Sequence, residues 1–236
     1  PHFRTRARSV IFLLMNGGPS QVDTFDYKPE LARHAGQPLP AGKKFINSGG
    51  RKVGYLTPAF RPFRPGGQSG LMVSDYFPRV RQHADRLAVI RSCHTDSHAH
   101  GSALVAMNTG KTFIGRPSLG SWAVYGLGTV NQDLPGYVVM QSGAKGPSGG
   151  LSNFGCGFLP TVYAGVPFRS AGDPVLFLSN PKGIDDRTQR DSLDVLKQLN
   201  EERLGVTGDP EIATRVNSFE LAYRMQHTAP ELMDIS

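Results

Sequence analysis

Two short, unbroken apolar runs constrain this chain most. Val10, Ile11, Phe12, Leu13, Leu14 and Met15 form the first; Leu87, Ala88, Val89 and Ile90 form the second. Neither alternates polar with apolar residues, so each has the pattern of a strand covered on both faces, as in a sheet sandwiched between helices. Both stop abruptly in polar sequence. Asn16-Gly17-Gly18-Pro19-Ser20 breaks the first, with Asp23 and Asp26 close behind. Ser92-Cys93-His94-Thr95-Asp96-Ser97-His98-Ala99-His100-Gly101 follows the second. Open α/β sheets bind their ligands beyond the carboxyl ends of their strands, and a parallel arrangement sets both loops on one edge. The expected class is therefore α/β.

Helices and loops fill the rest. Residues 27–73 read as a long irregular excursion with a short helix near 28–34, and loops of that length are often functional. Ser74 is placed to cap a helix running to about Asp85, with Tyr76, Phe77 and Val80 on its apolar side. Residues 101–108 predict a helix ended by Gly110, and residues 117–125 another with Pro117 near its first turn and Gly126 as its stop. Trp122 is expected in the core. Strands are expected at 134–140 and 174–178, separated by a Gly/Ser/Pro-rich irregular stretch at 141–173. Two helices close the chain. One spans about 186–204 and ends at Gly205. The other starts at Asp209-Pro210, with Ile212, Val216, Phe219 and Tyr223 on one face. There is no internal repeat.

The chain has 236 residues, 39% of them hydrophobic and 19% charged, the balance of a globular protein rather than a disordered one. The longest apolar run is far too short for a membrane span. Net charge is +7 and the pI about 9.6. The basic residues are scattered, so a basic surface or an anionic small substrate explains them as well as nucleic acid does, and nucleic-acid binding rests on charge alone. Cys93 and Cys156 make no disulfide framework and read as two buried thiols, although a pairing between them is open. The first residue is Pro1, so the lack of a leader in view says nothing about export.

The histidine loop carries the chemistry. His94, Asp96, His98 and His100 fall within seven of the chain's residues, out of seven histidines in all. Imidazole and carboxylate groups hold divalent metals or move protons near neutral pH. Alternate residues of an extended loop point the same way, so Asp96, His98 and His100 can converge. Asp23 suits a hard ion or the orientation of a histidine, and is equally at home in a turn. The glycine turn is neither a Walker A loop nor GxGxxG, but its amides suit an anion. Ser97 and Ser102 beside the histidines keep a hydroxyl nucleophile open. Asn108-Thr109-Gly110-Lys111 reads as a helix terminus whose Thr hydroxyl meets a carbonyl.

Taken together, three segments resemble one family. The stretch from Phe12 through Asn16-Gly17-Gly18-Pro19-Ser20-Gln21-Val22-Asp23-Thr24-Phe25-Asp26-Tyr27-Lys28-Pro29 looks like the opening motif of the DUF1501 proteins. The histidine loop with Met107-Asn108-Thr109-Gly110 looks like the second block, and Arg116-Pro117-Ser118-Leu119-Gly120-Ser121-Trp122 continues it. The resemblance implies an alkaline phosphatase-like fold, a doubly wound and mostly parallel sheet forming one domain over 1–236, incomplete in this chain. It implies metal-assisted hydrolysis of sulfate or phosphate esters by an exported bacterial protein, periplasmic or secreted. The metal, zinc, calcium or manganese, would be held by Asp23, Asp96, His98 and His100, with His100 and Ser97 as the catalytic pair. Two departures stand out. Sulfatases carry Cys/Ser-x-Pro-x-Arg where this chain has His100, and the superfamily's later Asp-His-Gly ligands do not occur before Ser236. The chain is therefore expected to be the N-terminal portion of a longer protein. The alternative is a non-catalytic descendant of the fold that binds a sulfated glycan or a surface partner.

Overall fold

Helices rather than sheets carry most of the regular structure. The computed structural model describes residues 9–40, 54–141, 146–169, 175–176 and 178–233. It is a mixed α/β structure with two small sheets of two strands each among the described residues. The chain divides into two compact units, Pro1–His100 and Gly101–Ser236.

The first unit is built on turns and one hairpin. A 3-10 turn, Gln21–Asp23, leads to helix α1, Pro29–Arg33, where the sequence predicts a short helix. Strands β1, Phe63–Gly66, and β2, Leu71–Ser74, pair antiparallel, Phe63 opposite Ser74 and Gly66 opposite Leu71. This hairpin lies inside the stretch expected to be irregular. Its turn is closed from a distance: the Asp85 carboxylate accepts from the backbone N–H of Gln68 at 3.0 Å and of Ser69 at 2.7 Å. Gly67 sits against that carboxylate at φ +60°, and a Cβ there would lie 2.3 Å from an Asp85 oxygen, so only glycine fits. Asp75 pairs with Arg64 at 3.0 Å and with Arg81. Phe25 stacks on Phe77 and Tyr27 lies tilted against Phe63, while the Ser74 N–H donates to the Thr24 carbonyl.

Three expectations for this unit are corrected. Ser74 ends β2 instead of capping a helix; the helical stretch is split into α2, Pro78–Arg81, and a 3-10 turn, Ala84–Arg86. Pro78 is the reason, because a residue before proline is pushed out of the helical region, and Phe77 sits at φ −124°, ψ 55°. The runs at 9–15 and 87–90 are not strands. Ile11 and Leu13 are 84% and 86% exposed, and Ile90 is 74% exposed. A strand exists only where a neighbour takes up its backbone N–H and C=O groups, and no described residue pairs with either run.

The second unit has a core. Helix α3, His100–Thr109, starts at the end of the histidine loop and is followed by Gly110 at φ +76°. Helix α4, Leu119–Leu127, is capped by Ser118, whose Oγ accepts from the Ser121 N–H. It runs past Gly126 and stops at Gly128. Trp122, expected in the core, is 45% exposed and meets Tyr125 and Phe158 edge-on. Strand β3, Val138–Met140, is shorter than expected. It pairs parallel with β4, Val166–Phe168, which falls in a stretch expected to be irregular. Of the expected strand at 174–178, Pro174 and Phe177 lie outside the described residues, and Val175 and Leu176 form a bend and turn.

Helix α5, Asp186–Thr207, begins at Asp185, whose carboxylate accepts from the Thr188 N–H at 2.8 Å. It passes through Gly205, which costs a helix only about 1 kcal/mol, and ends where Gly208 adopts the left-handed conformation. Helix α6, Pro210–Met233, packs back on α5. Arg190 pins the pair. Its guanidinium donates to both oxygens of Glu220 at 3.0 and 2.8 Å and lies over the Tyr223 ring. The core joins Phe168, Leu178, Met225 and Ala229, with Leu134, Val166, Val175 and Leu221 against it. Of the expected α6 face, Ile212 is buried but Phe219 is 40% exposed; Met225 and Ala229, about two and three turns further on, bury instead. Among the described residues no helix is long and apolar enough to cross a membrane.

Candidate functional site

The histidine loop is irregular from 91 to 99, and His100 opens α3. His94, Asp96, His98 and His100 are all exposed, and Ser97 is half-buried. The Ser97 hydroxyl accepts from the Ala99 N–H at 3.2 Å, which curls the loop between His98 and His100. Imidazoles so exposed are open to solvent and to a ligand.

One other segment reaches this loop. Gly17 and Gly18 both have positive φ, +98° and +69°, so the chain reverses there on glycine. Gly18 lies against the His100 ring: a Cβ at 18 would stand 3.6 Å from Cε1 and 3.7 Å from Nδ1. The turn after the first apolar run and the loop after the second therefore meet at His100, within one unit. That meeting was expected from a shared sheet edge; among the described residues it is made without that sheet.

Asp23 and Asp26 follow the turn and are occupied differently. Asp23, half-buried in its 3-10 turn, accepts from the Phe60 N–H at 2.9 Å through Oδ1. It ties residue 23 to the β1 approach. Asp26 is buried and pairs with Lys28 at 3.0 Å, so its charge is already answered. Among the described residues no three His, Cys, Asp or Glu side chains gather at one point as metal ligands would. By type alone, Asp23, Asp96, His98 and His100 suit a divalent ion, imidazole favouring zinc and carboxylate favouring manganese or calcium.

The remaining residues take structural roles. The Thr109 hydroxyl donates to the Val105 carbonyl at 2.8 Å, the terminus role its position suggests. Cys93 is exposed and Cys156 half-buried, both free, which corrects the expectation of two buried thiols.

Sequence reasoning missed two buried polar groups in the second unit. Ser118 and Ser121 are fully buried with their hydroxyls 2.9 Å apart, and Ser121 Oγ donates to the Gly155 carbonyl. Burial pushes the neighbouring Tyr137 hydroxyl up, opposed by a hydrogen bond with Ser118. Asn153 accepts from the Asn108 amide at 3.3 Å and donates to the carbonyls of Ser148 and Gly150. A serine three residues before another at a helix start was the legible sign of the first; Asn108 and Asn153 are too far apart in sequence for any local sign.

A mixed α/β protein with an exposed histidine loop set against a glycine turn is the class these features define. The chain belongs to the family described as Protein of unknown function (DUF1501), whose model matches residues 7–236. No curated protein and no solved structure matches it.

Proposed function

We propose that this protein is a metal-dependent hydrolase of sulfate or phosphate esters, exported to the periplasm or beyond, whose reactive edge is the Gly17–Gly18 turn and the loop holding His94, Asp96, Ser97, His98 and His100. The observation that carries it is the approach of Gly18 to the His100 ring, which sets a glycine turn beside an exposed imidazole. Amides of a glycine turn favour an anion, and the net charge of +7 favours an anionic substrate's approach. The doubly wound sheet belongs to the same reading, supported by the parallel β3–β4 pair.

In this reading the turn amides orient the ester oxygens. His100, beside them, moves the proton, an imidazole being suited to that near neutral pH. Ser97 stands two residues from Ala99, whose N–H it already accepts, and presents its hydroxyl at the same loop. Asp23, Asp96 and His98, with His100, would hold a divalent ion, which when bound supplies charge stabilisation and polarises the ester.

Elemental analysis of the purified protein beside an Asp23→Ala/His98→Ala variant, with turnover of p-nitrophenyl phosphate and sulfate, tests this. Stoichiometric metal that vanishes in the variant, with turnover that falls about 10²–10⁴-fold in His100→Ala, is the expected result. A protein without metal and without ester turnover overturns it. The second reading, a binder of sulfated glycans, is favoured by the absence of Cys/Ser-x-Pro-x-Arg at His100. It requires saturable heparin binding that a chelator leaves unchanged.

A further inference from the structure

The second unit carries an apolar surface patch assembled from two segments. Helix α4 exposes Leu119, Trp122 and Tyr125 at three-residue spacing, one face of a helix, while its cap Ser118 and its Ser121 are buried. Tyr125 and Phe158 meet the Trp122 ring edge-on at 5.9 and 5.8 Å. Ahead of α4, Phe113 and Ile114 stand on an irregular loop, 56% and 70% exposed. Hydrogen bonds lock the segment before Phe158 to the start of α4: the Gly155 carbonyl accepts from the Ser118 N–H at 3.0 Å and from Ser121 Oγ at 3.1 Å. Gly157, at φ +58°, lies so close to the 116–117 peptide that a Cβ there would fall 2.4 Å from the Arg116 carbonyl carbon.

Charge indicates what the patch suits. Lys111 and Arg116, both exposed, bracket Phe113 and Ile114 in sequence, and from Ser97 to Ile184 the acidic residues are Asp133 and Asp173 alone. An apolar tip between cations, beside tryptophan and tyrosine, is the combination that settles at the headgroup level of a bilayer. Apolar side chains enter the acyl boundary, amphipathic rings lie at the interface, and cations meet anionic headgroups. A glycan would need hydrogen-bonding groups around the rings, and the side chains of Phe113, Ile114 and Leu119 offer none. We propose that this patch docks the protein on an anionic lipid surface, lying on the membrane without spanning it. The proposal uses no residue of the histidine loop and stands whether or not that loop hydrolyses esters.

Trp122 is the chain's single tryptophan, so its emission reads the patch directly. The test titrates the protein with vesicles of phosphatidylcholine, of phosphatidylcholine mixed with phosphatidylglycerol, and of that mixture carrying brominated acyl chains. With phosphatidylglycerol present the emission should shift to the blue and the bromines should quench it. Partitioning should be at least about tenfold tighter than to phosphatidylcholine alone, as two cations at an anionic surface provide. Ile114→Asp should weaken partitioning about tenfold. Lys111→Glu/Arg116→Glu should erase the preference for phosphatidylglycerol. All three positions are exposed, so the circular dichroism spectrum should be unchanged. Absence of binding to the phosphatidylglycerol vesicles, binding that leaves Trp122 unquenched, or emission that turns blue with protein concentration alone, the sign of a second copy on the patch, would each overturn the proposal. Quenching in the unaltered protein decides the matter even if a variant does not fold.

Discussion

In the first unit, charged and polar side chains hold the backbone in place; in the second, apolar side chains do. Asp85 closes the β1–β2 turn, Asp75 joins Arg64 to Arg81, and Asp23 ties residue 60 to the start of the chain. The second unit instead packs Phe168, Leu178, Met225 and Ala229 into one cluster and pairs buried polar groups such as Asn108 with Asn153 and Ser118 with Ser121. The two apolar runs of the first unit stay on the surface. An apolar residue stabilises a fold only through what covers it, so the same composition is structural in one unit and an open surface in the other. The histidines of the loop sit in the first unit, where loops are positioned by hydrogen bonds and remain accessible.

That contrast can be broken at several points. Phe168→Ala should cost about 3–5 kcal/mol, the loss for an aromatic core residue, measured by denaturant unfolding. Leu13→Ser in the first unit should change stability by no more than about 0.5 kcal/mol, as exposed positions do. A Leu13→Ser cost matching that of Phe168→Ala would mean that the run is covered in solution and the comparison fails. Asn153→Ala should cost about 1–3 kcal/mol, because the buried Asn108 amide loses a partner. Ser118→Ala removes the α4 cap and should cost about 1 kcal/mol.

Acid sharpens the comparison from the other side. The Arg81 and Arg64 hydrogen bonds hold the Asp75 carboxyl below its ordinary value of 3.8, and the Ser69 and Gln68 amides do the same for Asp85. A carboxylate depressed on folding contributes stability above its unfolded value, and that contribution is lost as pH falls through the folded value. Thermal midpoints measured from neutral pH down to about pH 3 should therefore decline, and Asp85→Asn should flatten part of that decline. Asp185 and Glu220 are lowered too, by the Thr188 amide and by Arg190, so the second unit shares the acid sensitivity. A decline unaltered in Asp85→Asn would show that the hairpin turn contributes none of it.

Legibility followed the range of the interactions. The helices at 100–109 and 186–207 were readable to within a few residues, and so was the start of the one at 210–233, because signals such as Gly110 and Asp209-Pro210 act through neighbours in sequence; Gly205 was read as a stop that the helix passes through. The helix expected from Ser74 failed at Pro78, a local signal that apolar spacing had outweighed. The histidine loop was legible as a cluster of residue types, and so was the glycine turn. Their contact at His100 was anticipated, but through a shared sheet that the described residues do not form. The Asn108–Asn153 pair had no sequence sign at all.

The amino-acid sequence by itself determined most of the helices and where proton-moving and metal-capable side chains concentrate, because each depends on residues a few positions apart. Only the tertiary structure decided which apolar runs become strands, which helix faces are buried, and which polar atoms find partners. Strand pairing and burial need groups from distant parts of the chain, and a run such as 9–15 has the same pattern whether or not anything arrives to cover it.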